Sequence, residues 1–238
     1  MRLPFLRSVL FILPLALSAC ATMDGGTTPN AYDAKITSAL DRAAGEAGRQ
    51  GASAGSLLLL ERVYKRDPKN VDSAIKYARA LRDNGDTQKA RLVLEPIANG
   101  ADATADALGE FAALQLSDGQ YSVAENYARK AVAKDTGDYQ AYQILGIALD
   151  AQAKYKDAEG AFRQALEKWQ GDPIPVMNNL ALNLTNQERL DEALEIMKKA
   201  KEIAPNRIEV ERNLRIIRTL NESAAGRPAP KPGEKPKS

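Results

Sequence analysis

Residues 139–168 read YQAYQILGIALDAQAKYKDAEGAFRQALEK, and their pattern decides the fold. In the first half Tyr142, Leu145, Gly146 and Leu149 recur at steps of three and four, which places them in one stripe on a helix. The second half repeats the pattern with Ala158, Phe162, Ala165 and Leu166. Small residues in both stripes let two antiparallel helices approach closely, and the bulky residues fill the gaps beside them. The stretch is therefore one helix–turn–helix unit.

Further copies lie on either side. Ala90, Ala124, Ala158 and Ala193 are separated by 34, 34 and 35 residues. Twelve residues before each alanine stands another small residue: Ala78, Ala112, Gly146 and Ala181. Those are preceded by Tyr77, Phe111, Leu145 and Leu180. Four residues after each alanine come Leu94, Ala128, Phe162 and Met197, and seven after come Ile97, Ala131, Ala165 and Ala200. Ala44, Ser56, Leu60, Val63 and Pro68 fit one weaker unit upstream. Gly85 and Gly119 end first helices in a left-handed cap, and Asp67-Pro68, Asp172-Pro173 and Pro205 punctuate unit ends, where proline can open the next helix. The junction near Gly171 carries one extra residue.

This register is similar to the tetratricopeptide repeat (TPR), whose 34-residue units carry small residues at their eighth and twentieth positions. The resemblance spans about residues 37–207. It implies an all-α fold, a TPR-type α-solenoid of antiparallel helix pairs in a right-handed superhelix with a C-terminal capping helix. The expected units are 37–70 (degenerate), 71–104, 105–138, 139–173 and 174–207, with a cap at 208–222 and a solenoid over 36–222. In the cap Leu214, Ile217 and Leu220 can face the stack. Arg215 falls where a small residue would be needed for a further helix, as expected of a solubilising end. Residues 223–238, with Pro228, Pro230, Pro232 and Pro236 among Lys231, Lys235 and Lys237, read as a disordered Pro/Lys-rich tail.

Composition narrows the chemistry. The chain has no histidine and one cysteine, which removes the commonest general base, the Ser-His-Asp arrangement and any internal disulfide. Its 5% aromatic content suits close-packed helices rather than a sheet core. No phosphate-binding loop of the GxxxxGK[ST] type occurs. The pairs Asp157/Glu159 and Asp191/Glu192 open second helices, where acids favour the helix dipole and read as a solvated face. The expectation is a non-enzymatic protein with no cofactor, no metal and no small-molecule substrate. The formal charge of +2 comes from Arg2 and Arg7, which precede Cys20. Without them no net charge is left, so charge gives no argument for nucleic-acid binding.

Arg2 and Arg7 are followed by an uncharged run from Ser8 to Ala19, too short to span a membrane but the length of a signal-peptide core. It ends Leu17-Ser18-Ala19-Cys20. This resembles the bacterial lipobox, which implies a signal peptide over 1–19, acylation of Cys20 and a flexible linker over 20–35. The competing reading is a plain secretory signal with a chance cysteine. Ala21 after the cysteine implies, by the enterobacterial sorting rule, an outer-membrane lipid anchor facing the periplasm.

In TPR proteins the first helices wall a concave groove. Carried over, the resemblance implies Ile75, Arg79 and Arg82 at a cationic end, Leu116, Gln143, Ile147 and Asp150 in the middle, and Asn178, Leu182, Thr185 and Asn186 at an amide-rich end. Asn178 and Asn179 have two readings: contact with a peptide main chain, or a bond from one of them to the neighbouring helix. The stretch GDPIPVMNNLALNLTNQERLDEALEIMKKAKEIAPNRIEVERNLRIIRTL, residues 171–220, resembles the TPR lipoproteins of tight-adherence (Flp) pilus assembly, the TadD family. That resemblance implies protein partners such as the outer-membrane secretin or other pilus components. The alternative is an adaptor for outer-membrane protein assembly or for recruiting peptidoglycan enzymes.

Overall fold

Apolar residues at three- and four-residue steps fold into ten helices among the described residues of the computed structural model, which are 54–225 and the isolated positions Ser38, Arg42, Ala43 and Glu46. They are α1 (Ala54–Arg66), α2 (Val71–Asp83), α3 (Thr87–Ala98), α4 (Ala105–Ser117), α5 (Tyr121–Lys134), α6 (Tyr139–Asp150), α7 (Tyr155–Lys168), α8 (Ile174–Asn186), α9 (Leu190–Ile203) and α10 (Ile208–Ala225). The signal peptide, Cys20, the linker, most of the first helix of the degenerate unit and the tail beyond 225 lie outside the described residues. The last helix runs to Ala225, beyond the expected boundary at 222.

Local sequence sets the helix ends. Asn70, Thr104 and Asp138 cap α2, α4 and α6 by accepting hydrogen bonds from Ser73 N (2.9 Å), Ala107 N (3.1 Å), and Gln140 N and Ala141 N (2.9 and 3.0 Å). Asn70 and Thr104 each satisfy one otherwise unpaired N–H at a helix start and Asp138 satisfies two, a gain of about 1 kcal/mol per cap. The turns within units share one geometry. Asp86 N donates to Leu81 O (2.8 Å), Gln120 N to Gln115 O (2.8 Å), Lys154 N to Leu149 O (3.0 Å) and Arg189 N to Leu184 O (3.0 Å). This closure needs one left-handed residue, supplied by Gly85 (φ +85°) and Gly119 (φ +71°). In the next two units the same slot holds Ala153 (φ +58°) and Glu188 (φ +62°), where the backbone conformation works against a side chain.

Packing follows the register. Ala90, Ala124, Ala158 and Ala193, and across from them Ala78, Ala112 and Ala181, are all completely buried. Gly146 is the tightest of these contacts: a Cβ there would lie 2.5–2.9 Å from three ring carbons of Phe162. Burying that ring contributes about 1.5–3 kcal/mol. On the last helix Val210, Leu214 and Ile217 face the stack, whereas Leu220, expected to do so, is 44% exposed. Arg215 is also exposed, so the outer side of α10 presents no small-residue seat for another helix.

Adjacent units are also joined by polar contacts between their second helices and turns. Glu125 on α5 accepts from Arg129 (2.9 Å) in its own helix and from Gln152 (2.9 Å) and Lys154 (2.7 Å) in the next unit. One repeat on, Glu159 on α7 holds Arg163 (2.9 Å), Gln187 (3.2 Å) and Arg189 in the same arrangement. Glu159 is therefore a junction between units, a correction to the solvated-face reading. Burial pushes both carboxyls up, but the hydrogen bonds outweigh it and hold them below the usual carboxylate value.

Candidate protein-binding groove

Among the described residues, the backbones of the first helices of successive units, α2, α4, α6, α8 and α10, pack against one another in series, whereas the backbones of the second helices pack against first helices. A stack joined this way bends toward its first helices, so these line the inner side. The predicted groove residues all lie on them, but the environments differ from those expected.

At the N-terminal end Ile75 is only 7% exposed and belongs to the core, because α4 packs directly over α2 there. The cationic end is also corrected. Arg79 Nε and Arg82 Nε both bind Glu110 of α4, at 2.7 and 2.8 Å, one to each carboxylate oxygen. Glu110 is 5% exposed. Burial works against the charge of Arg79, but Glu110 more than offsets it and holds its pKa above the ordinary arginine value. The two arginines thus tie two units together around a buried carboxylate, and Asp83, 3.1 Å from Arg82, balances the second positive charge.

The middle of the inner face keeps Leu116, Gln143 and Ile147 half-buried. Asp150 is engaged by a neighbour: Asn183 of α8 donates to it at 2.6 Å. Asn183 has no exposed surface and also donates to the Tyr155 carbonyl (3.1 Å). Sequence reading missed this residue. The two acceptors of its amide lie 33 and 28 residues away, and no local pattern marks them.

At the C-terminal end Asn178 accepts from Asn213 of α10 at 3.2 Å, a bond to the neighbouring helix. The Thr185 hydroxyl donates to the Ala181 carbonyl (2.8 Å), turned back on its own helix. Leu182 and Asn186 are exposed, Leu182 by 42%. The capping helix extends this surface with Ile216 (50% exposed) and Leu220 (44%). Ile147, Leu182 and Ile216 occupy one register position in three successive first helices. Carrying the repeat spacing one step past Leu182 finds Ile216 in the sequence. The inner face is therefore neutral at its N-terminal end and apolar with flanking amides at its C-terminal end. Such a surface buries apolar side chains of a polypeptide and fixes their orientation through a few polar groups.

Stacked helix pairs in this register define an α-solenoid of the TPR class, a fold consistent with protein–protein interaction. The model of the tetratricopeptide repeat protein 21 C-terminal ARM domain matches residues 27–215, and the chain belongs to this family. No curated protein matches the chain. Among solved structures it is similar to TTC0263, a thermophilic TPR protein in Thermus thermophilus, with 18% identity over 77% of this chain and 100% of that one and a TM-score of 0.67. It is also similar to MamA, from residue 41 to its end, of Desulfovibrio magneticus RS-1, with 20% identity over 72% and 97% of the two chains and a TM-score of 0.57. Likeness at these identities shows the shared fold.

Proposed function

We propose that the chain is a scaffold tethered to the outer membrane by acyl chains on Cys20, facing the periplasm, where its inner face holds a protein of the tight-adherence pilus machinery. The outer-membrane secretin or one of its neighbours would be the partner. The observation that supports binding is the exposed apolar row of Leu182, Ile216 and Leu220 beside the exposed amide of Asn186 on the inner face. The Leu17-Ser18-Ala19-Cys20 box supports the tether, and residues 171–220 support the choice of machine through their resemblance to the pilus lipoproteins. No step of chemistry is required. Acyl chains stabilise membrane attachment by about 0.8 kcal/mol per buried methylene, and tethering raises the effective concentration of the groove near its partner, so modest affinity suffices.

The test has separate arms. Cys20→Ser should move the protein from membrane to soluble fractions; unchanged membrane fractionation refutes the lipid tether. Leu182→Glu combined with Ile216→Glu should keep the protein in the membrane but abolish secretin multimers and pili. Intact multimers and pili in that variant and in a deletion strain refute the pilus role and leave the adaptor of another envelope process as the reading.

A further inference from the structure

The last helix carries a stripe of side chains opposite its buried side. Val210, Leu214 and Ile217 of α10 face the stack. Ile208, Arg212, Arg215 and Thr219 recur at steps of four, three and four, and each stands two residues from a buried one. Two residues are about 200° of helix, so this stripe points away from the core. All four residues are exposed, as is Arg218 beside them. Arg215 holds the register position that needs a small residue, so no further helix covers the stripe. The guanidinium groups of Arg212, Arg215 and Arg218 make no hydrogen bond or ion pair with a described residue. The acids nearby are engaged by other cations: Glu209 lies 3.4 Å from Arg207, and Glu211 is bound by Lys201. Of the acids on α10, Glu222 alone is bound by no described cation, so the surface keeps an excess of positive charge. The sequence continues in the same sign, with Arg227, Lys231, Lys235 and Lys237 against Glu234.

Charge alone would suit any polyanion, but the apolar member of the stripe narrows the choice. Ile208 is 81% exposed, more than any other large apolar side chain among the described residues. Ile216, 50% exposed, flanks the same stripe. A water-soluble polyanion gains nothing from isoleucine beside arginine. A lipid surface sets phosphates directly over acyl carbon. A helix lying in that interface buries its isoleucine there, while the arginine stems run along the apolar layer and their heads reach the phosphates. The guanidinium fork matches phosphate oxygens with paired N–H donors. We propose that α10 docks on an anionic phospholipid surface through Ile208, Arg212 and Arg215, with Arg218 at the edge of the contact. This site is separate from the inner row that begins at Leu182, and it does not depend on acylation of Cys20.

Co-sedimentation with vesicles tests this, using the purified full chain with Cys20→Ser, which carries no acyl group. One set of vesicles is phosphatidylcholine alone, and the other is equal parts phosphatidylcholine and phosphatidylglycerol. The apolar run before residue 20 meets both sets, so the ratio of the two affinities is the measure. The ratio should favour the anionic vesicles and fall as salt is added. Arg212→Gln, Arg215→Gln and Arg218→Gln together should lower it about a hundredfold, from about fivefold per arginine at an anionic surface. Ile208→Asn should lower it about tenfold, and Leu182→Glu should leave it unchanged. The urea midpoints of the arginine and isoleucine variants should match the parent, because the side chains removed are exposed and unpaired. Equal affinity for both vesicles, or a ratio indifferent to the three arginines, overturns the inference. A ratio indifferent to Ile208→Asn, with soluble polyglutamate competing for the arginines, also overturns it and assigns the surface to an acidic protein partner.

Discussion

Replacing Gly146 by alanine should destabilise this protein, although alanine is the better helix former. An ideal Cβ at position 146 falls 2.5, 2.6 and 2.9 Å from the Cε1, Cδ1 and Cζ atoms of Phe162. Carbon atoms pack at about 3.5–4.0 Å, so the ring must retreat by about 1 Å. Phe162 is 1% exposed and enclosed by the core, which leaves it nowhere to go. Overpacking of this kind costs about 1–3 kcal/mol. Exchanging a helical glycine for alanine returns about 0.5–1 kcal/mol, so the net loss should be about 1–2 kcal/mol. The next unit contains its own control, because Ala181 and Met197 stand at the same two positions, both fully buried. Phe162→Met alone leaves unfilled space beside Gly146 and should cost about 1–3 kcal/mol. The double variant Gly146→Ala, Phe162→Met should recover most of both losses, with a coupling of about 1–3 kcal/mol. Urea denaturation followed by far-ultraviolet circular dichroism reads all four proteins, with the slope checked for constancy. A Gly146→Ala variant as stable as the wild type, or strictly additive losses in the double variant, refutes the packing argument.

Two further predictions use the turns and the unit junctions. Ala153→Gly and Glu188→Gly should each stabilise the protein by about 0.5–1 kcal/mol in the same assay, by relieving a left-handed residue, whereas Gly85→Ala and Gly119→Ala should each lower the urea midpoint. Glu159→Gln should lose about 1–2 kcal/mol at neutral pH, through weaker bonds to Arg163 and Arg189. The carboxyl of Glu159 is held below 4.5 in the folded protein, so its contribution is complete above that value and disappears as pH falls through the lower, folded-state pKa. Urea midpoints of variant and wild type should therefore converge in acid, and a gap independent of pH contradicts this.

The alternation of helices was legible because each depends on its own local pattern, and the small residues that let helices pair recur at a fixed spacing. Gly85 and Gly119 were legible for the same reason, since a left-handed turn leaves its mark on the residue that makes it. Ala153 and Glu188 hold the same conformation without such a mark, since the surrounding helices impose it. The residues expected in the groove lie on first helices, but their partners were not visible. Glu110 binds arginines 31 and 28 residues before it, and nothing in its own neighbourhood announces that it will be buried. Gln115, on α4, could have been found: it interrupts the column of Leu81, Leu149 and Leu184 at the same position of the other units. It escapes a search for motifs because it is a departure from the pattern.

The reach of these cross-unit contacts has a consequence for how the chain is made. Among the described residues, none of the hydrogen bonds between units joins positions more than 35 residues apart. Wherever the chain emerges N-terminus first, each side chain needs only about one further unit's length of chain before its partner is available. The protein can then close one unit against the last in order, with short loops throughout.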